Sequence, residues 1–296
     1  MDNPRYIDPF SDIGFKALFG REGQSEVILK EFLNEVFKGQ PQFDEIKEVS
    51  FINTERTKED ENDKTIIHDI LCTTDSGHRF IVEMQKGVQS NFLLRAIYYV
   101  SRGITDQAVR TNNDQPWQYD LLPVAGVFVT TFPVKGLPKK LLVHIGLADV
   151  ETGELIAKHI RFAFIQTSLF NKKAEECETK FEKIIYTLKN MPTLIAIPFQ
   201  EAKDDIFARM DSVARYASLS PEERRLYEYE LKKSRDRASE LNTAREEGLA
   251  KGRAEGRAEG RKAEKMEIAK VLKTKGMSDS EIKSVTGLSE KEIADL

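Results

Sequence analysis

Thr65–Lys86, TIIHDILCTTDSGHRFIVEMQK, is the stretch on which the fold turns. Ile66, Ile67, Ile70 and Leu71 on one side and Phe80, Ile81 and Val82 on the other are the bulky residues that half-buried strands favour. Thr74, Asp75, Ser76 and Gly77 supply a turn between them, so the stretch reads as a β-hairpin. If Asp75, Ser76 and Gly77 form a three-residue loop with a left-handed glycine, Thr74 faces His78 and, counting back, Asp69 lies opposite Glu83. Paired residues project to one side of a sheet, and Gln85 shares the side of Glu83 because the strand period is two. A two-residue turn centred on Ser76 and Gly77 would instead pair Asp69 with Met84 and send Glu83 to the opposite face. Sequence alone leaves both registers open.

In the first register one face carries two carboxylates and a carboxamide. Two neighbouring carboxylates stay ionised at neutral pH most readily with a cation between them. A hard divalent ion such as Mg2+, or Mn2+ in its place, suits an oxygen cage completed by water and phosphate. The plain alternative is a solvated strand face. Against it stand the apolar strand around Asp69 and the run Phe80, Ile81, Val82 before Glu83, where an unpaired charge is costly.

The order Asp69, thirteen residues, Glu83, one apolar residue, Gln85 resembles the PD-(D/E)xK nuclease signature. The wider pattern resembles the bacterial Rpn family of recombination-promoting nucleases and transposases. It is carried by DPFSDIGFKALFG (Asp8 to Gly20), DKTIIHDIL, FIVEMQ, and a following helix with Arg95 and Tyr98. The resemblance implies a restriction-endonuclease-like core and Mg2+-dependent endonucleolytic cleavage of DNA in recombination or mobile-element processes. It also implies Asp69, Glu83 and Gln85 as catalytic residues, the two acids holding the metal. Gln85 stands where the superfamily usually has lysine, as it does in the Rpn group. Lysine would neutralise developing charge, whereas glutamine can only donate and accept hydrogen bonds. A DNA-associated or oligomeric interaction protein that keeps the fold without cleavage is the rival reading.

Composition sets the outer limits. The 296 residues suffice for one substantial core and a tail. Charged residues make up 32% of the chain but the net charge is only −4, so DNA contacts must be local. Lys64, just before the second strand, and Arg95 and Arg102, seven apart on one helical face, are the candidate phosphate contacts; the plainer reading of Lys64 is a surface lysine. Two distant cysteines, Cys72 and Cys177, suit a reducing interior. His68, His78, His144 and His159 lack metal-ligand spacing. Without a signal peptide or a sufficiently long apolar run, a cytoplasmic protein with no membrane association is expected.

Along the chain, Ser11 caps a short helix to Phe19, and a clearer helix runs from Gln24 to Lys38. The resemblance implies a further active-site acid on this clearer helix, with Glu26, Glu31 and Glu35 as candidates, while a solvated face is the plainer reading of each. A strand over Phe43–Asn53 precedes the hairpin, a helix over Val88–Val109 follows it, and the apolar run Leu121–Phe132 suits a strand covered on both faces. The order is α/β, a mixed sheet flanked by helices, with a helical C-terminal extension. Further strands are expected over Leu141–Val150 and Ile160–Phe170, then helices over Lys173–Asn190 and Gln200–Ala217.

Three segments are expected: a nuclease-like domain over 1–218, a charged helical linker over 219–265 and a helix-turn-helix-like tail over 266–296. In the linker Gly248, Gly252, Gly256 and Gly260 recur every fourth residue beside rows of alanine and arginine, costing about 1 kcal/mol per glycine. Ser278 with Glu281 and Ser289 with Glu292 have capping-box spacing. Glu290, Glu292 and Asp295 against Lys291 make a poor surface for a DNA groove, so homo-oligomerisation or packing suits the C-terminal helices better.

Overall fold

The hairpin closes on the three-residue loop. In the computed structural model the Thr74 N–H donates to the His78 carbonyl at 2.9 Å, the Gly77 N–H donates to the Thr74 carbonyl at 2.9 Å, and Gly77 has φ +78°. A Cβ-bearing residue rarely adopts that conformation, which is why glycine ends the loop. The structure describes residues 5–41, 43–52, 70–108, 121–200 and 205–296. Asp69, Lys64 and His68 lie outside them.

Two strands follow from the turn, β2 (Ile70–Thr74) and β3 (Arg79–Gln85), with Ile70 opposite Val82 and Cys72 opposite Phe80. Before them come α1 (Asp12–Phe19), α2 (Glu26–Phe37) and β1 (Val49–Phe51); after them α3 (Phe92–Ala108), β4 (Val124–Thr130), β5 (Leu142–Ala148) and β6 (Leu155–Gln166). The described strands form one six-stranded mixed sheet, ordered β1-β2-β3-β4-β6-β5. β3, β4 and β6 run parallel and the other pairs antiparallel. β1 is shorter than the apolar pattern suggests. The Asn34 carboxamide both donates to the Ile46 carbonyl at 2.9 Å and accepts from its N–H at 2.8 Å, engaging backbone groups that a ladder would need.

The sheet's faces divide the core. Phe80 and Val82 of β3 and Ala125, Val127 and Val129 of β4 pack on the side of α1 and α2. Ile81, Val124 and Phe128 face α3 with Phe92, Ala96 and Val100. All seven β4 residues are buried, as a central parallel strand requires. Gly126 lets α3 approach: a Cβ there would meet Val100 Cγ2 at 2.7 Å and the Phe128 ring at 2.4 Å.

The remaining helices are α4 (Lys180–Asn190), α5 (Ile206–Val213), α6 (Pro221–Thr274), α7 (Asp279–Thr286) and α8 (Glu290–Ala294). α4 begins later than expected because Thr179 and Glu182 form a capping box. Two compact units are separable, Met1–Leu231 and Lys232–Leu296. In the first, the opening residues of α6 bury Tyr227, and Arg21 pairs with Glu223 at 2.7 Å.

In the second unit every residue from 232 to 265 is exposed, and Met266–Thr274 continues α6 as the same helix because no proline or cap interrupts it. Gly276, with φ +83°, follows its end. Ile282, Leu288 and Ile293 of the tail close on Ala269. Both expected capping boxes form, and Glu292 and Glu290 pair with Lys262 at 2.7 Å and Lys283 at 2.8 Å.

Candidate active site

Glu83 lies on the α3 face of β3, the face of Ile81, and directly opposite Phe128 of β4. It is 2% exposed. A buried carboxylate is costly by several kcal/mol unless a cation or strong donors compensate it. The compensation comes from α3: Arg95 Nη2 lies 3.4 Å from Glu83 Oε2. The same guanidinium reaches Gln85, whose Oε1 accepts from Nη1 at 3.3 Å. Glu83 and Gln85, two residues apart on one strand, thus both turn hard oxygens toward the Arg95 guanidinium.

Arg95 is itself anchored. Its Nε donates to Tyr99 Oη at 2.7 Å, its Nη1 to Gln89 Oε1 at 2.8 Å, and its guanidinium carbon stands 5.0 Å from the Tyr99 ring centre. Tyr99 is one helical turn beyond Arg95, so the helix orients the arginine before it meets the strand. Arg102 is two turns along the same helix, with Nε 3.1 Å from Asp106 Oδ1.

The end of β3 is fixed from both sides. Lys86 Nζ pairs with Asp8 Oδ2 at 2.6 Å, and the Lys86 carbonyl accepts from Thr131 Oγ1 at 2.6 Å. Asp8 is set by the opening motif. Its Oδ1 accepts from the Phe10 N–H at 2.9 Å, its carbonyl accepts from Ser11 Oγ at 2.8 Å, and Ser11 Oγ caps α1 by accepting from the Gly14 N–H at 3.0 Å. The Asp8 N–H donates to Tyr227 Oη at 2.7 Å. The DPFSD segment therefore braces the strand end that carries Gln85.

Of the residues expected from sequence, the structure brings together Glu83, Gln85 and Arg95. Arg102 pairs with Asp106 on its own helix, while Asp69 and Lys64 lie outside the described residues. The three candidate acids of α2 have other partners: Glu26 accepts from the Gly23 N–H, Glu31 pairs with Lys180 and Glu35 with Lys38. Gln89 and the Asp8–Lys86 pair join the site without being among the residues expected from sequence. The usable signal for the pair was Lys86 immediately after EMQ, with an aspartate heading a turn-forming DPFSD.

The donor set is hard oxygen, which suits Mg2+ or Mn2+, and the guanidinium between Glu83 and Gln85 acts as a stand-in cation that tests the fit. Among the described residues no group of three or more His, Cys, Asp or Glu side chains gathers that could hold a metal ion. Burial pushes the Cys72 thiol up to about 12, which removes it as a thiolate ligand at neutral pH. No described helix is long and apolar enough to cross a membrane.

Comparison with curated proteins and with solved structures finds no match. The model of a PD-(D/E)XK nuclease family transposase, a group whose nucleases generally use divalent metals and act on DNA, matches residues 9–244. This span begins at Pro9, inside the opening motif, and takes in the hairpin and α3, and the chain belongs to the PD-(D/E)XK nuclease family transposases.

Proposed function

We propose that the chain is a metal-dependent DNA endonuclease that hydrolyses phosphodiester bonds, acting in the cytoplasm in recombination or mobile-element processes. The observation that carries this reading is the buried Glu83 carboxylate, turned with Gln85 toward one cation on a hairpin whose register is set through Ile70–Val82. Asp69 is the next residue before Ile70, and we assign it with Glu83 to hold Mg2+, with Mn2+ as the substitute. Such an ion, when bound, lowers the pKa of water and polarises a phosphoryl oxygen.

The protein's own groups supply the rest. Gln85 orients the attacking water or the scissile phosphate through its carboxamide, and Arg95 at the mouth meets phosphate oxygens in its fork geometry. Lys64 and Arg102 extend the contact along the backbone. We further assign residues 1–218 to the nuclease-like domain, 219–265 to a linker and 266–296 to a tail, with the C-terminal helices as the route to a homo-oligomer.

Supercoiled plasmid incubated with the protein and Mg2+ or Mn2+ is expected to become nicked or linear, and Asp69→Ala is expected to abolish this. Equal cleavage by the variant would assign the activity to a contaminant. Gln85 in the usual lysine place favours a second reading, a non-catalytic DNA-associated or oligomeric protein. Plasmid retarded in a gel without nicking would select it.

A further inference from the structure

We propose that Arg95 is a positioning residue that serves as an exchangeable internal counter-ion, holding Glu83 and Gln85 ready for a divalent ion and competing with that ion for them. This rests on the reading of Glu83 as a metal ligand. The four polar contacts of the guanidinium fall into two classes. Those to Tyr99 and Gln89, at 2.7 and 2.8 Å, are short, and they tie the arginine to its own helix and the loop before it. Those to Gln85 and Glu83, at 3.3 and 3.4 Å, are at the long limit of hydrogen bonding and act mainly through charge.

The exposures are equally unequal: the Arg95 side chain is 35% exposed and that of Glu83 3%. The cation is thus far more open to solvent than the carboxylate it pairs with, and its short contacts, to Tyr99 and Gln89, do not involve that carboxylate. An arriving ion therefore displaces the two long contacts of the guanidinium and leaves its two short ones in place. The guanidinium, still fixed on Tyr99 and Gln89, is left facing the mouth with its charge uncommitted, where a phosphate can take it.

Mn2+ binding, followed by calorimetry on the full chain, and thermal unfolding with and without Mn2+ test the proposal. Arg95→Gln is expected to bind Mn2+ roughly tenfold more tightly than wild type, because the competing charge is gone. Its metal-free form is expected to melt lower and to regain the loss when Mn2+ is added. Tyr99→Phe, which loosens the arginine but leaves Glu83 untouched, is expected to tighten Mn2+ by about threefold. Unchanged or weaker Mn2+ binding in both variants, with wild-type binding still lost in Glu83→Gln, would overturn the counter-ion role and leave the metal site standing. Mn2+ binding that ignores Glu83→Gln in every background would overturn both.

Discussion

Glu83 is costly where it stands, and its position separates function from stability. Replacing it with glutamine keeps the shape and removes the buried charge, while Arg95 retains Tyr99 and Gln89. Glu83→Gln is thus expected to fold with a melting temperature at or above that of wild type. Its plasmid nicking should fall by about two orders of magnitude or more. Loss of both folding and nicking would mark Glu83 as a structural ion pair instead. At this scale the sequence narrowed the hairpin to two registers and its period of two told which side chains share a face in each, but the choice between them came from the folded turn, where Thr74 pairs with His78 and Gly77 is left-handed. Gln89 escaped notice because nothing in its flanking residues marks it, and only the helix that brings Arg95 across gives it a partner.

Elements decide where those side chains meet. α3 reaches Glu83 because it lies close on β4, and that closeness depends on Gly126. Gly126→Ala forces a methyl into Val100 and Phe128, and is expected to destabilise the protein by about 1–3 kcal/mol in urea unfolding. It should also depress nicking beyond the loss of folded protein, since the displaced helix carries Arg95. An alanine variant as stable as wild type would show that β4 and α3 have slack.

The same sheet carries a pH response. Burial, with Arg161 adding to it, pushes the His144 imidazole below its ordinary value of 6.5, so the unfolded chain takes up this proton first as the pH falls. Stability from this site is complete above about pH 6.5 and is lost below it, as the pH falls through the depressed folded value. His144 lies against the Phe37 ring at 5.5 Å, and His144→Phe should narrow the difference between urea midpoints at pH 8 and pH 5.5. An unchanged difference would place the response elsewhere. Apolar periodicity made α2, β4 and β5 legible in the sequence, and β6, which runs Leu155–Gln166, only from Ile160. It overran β1 and α4, where side-chain hydrogen bonds from Asn34 and Thr179 set the ends, because periodicity carries no trace of such bonds.

At the scale of the molecule, two units have different physics. Residues up to Leu231 bury a core on both faces of the sheet, whereas Lys232–Leu296 has a small apolar cluster supported by caps and ion pairs. Lys262 and Ser289 hold the Glu292 carboxyl down at about 2. The pairing is present above the ordinary carboxylate value of 4.5 and is lost as the pH falls through about 2. Lys262→Met should raise the Glu292 midpoint, followed by NMR, toward that ordinary value; an unmoved midpoint would discount the pair. The change in composition that marks this region was plain in the sequence. The continuity of α6 across residue 265 was not, because charged repeats and an apolar pattern look like different segments even when one backbone helix carries both.

The central claim is that Asp69 and Glu83 jointly hold a divalent ion beside Gln85. The most direct measurement is anomalous scattering from crystals soaked in Mn2+. The account predicts one strong peak bounded by oxygens of Asp69 and Glu83, with Gln85 at its edge. An Asp69 side chain directed away from Glu83, with no peak between them, would contradict it.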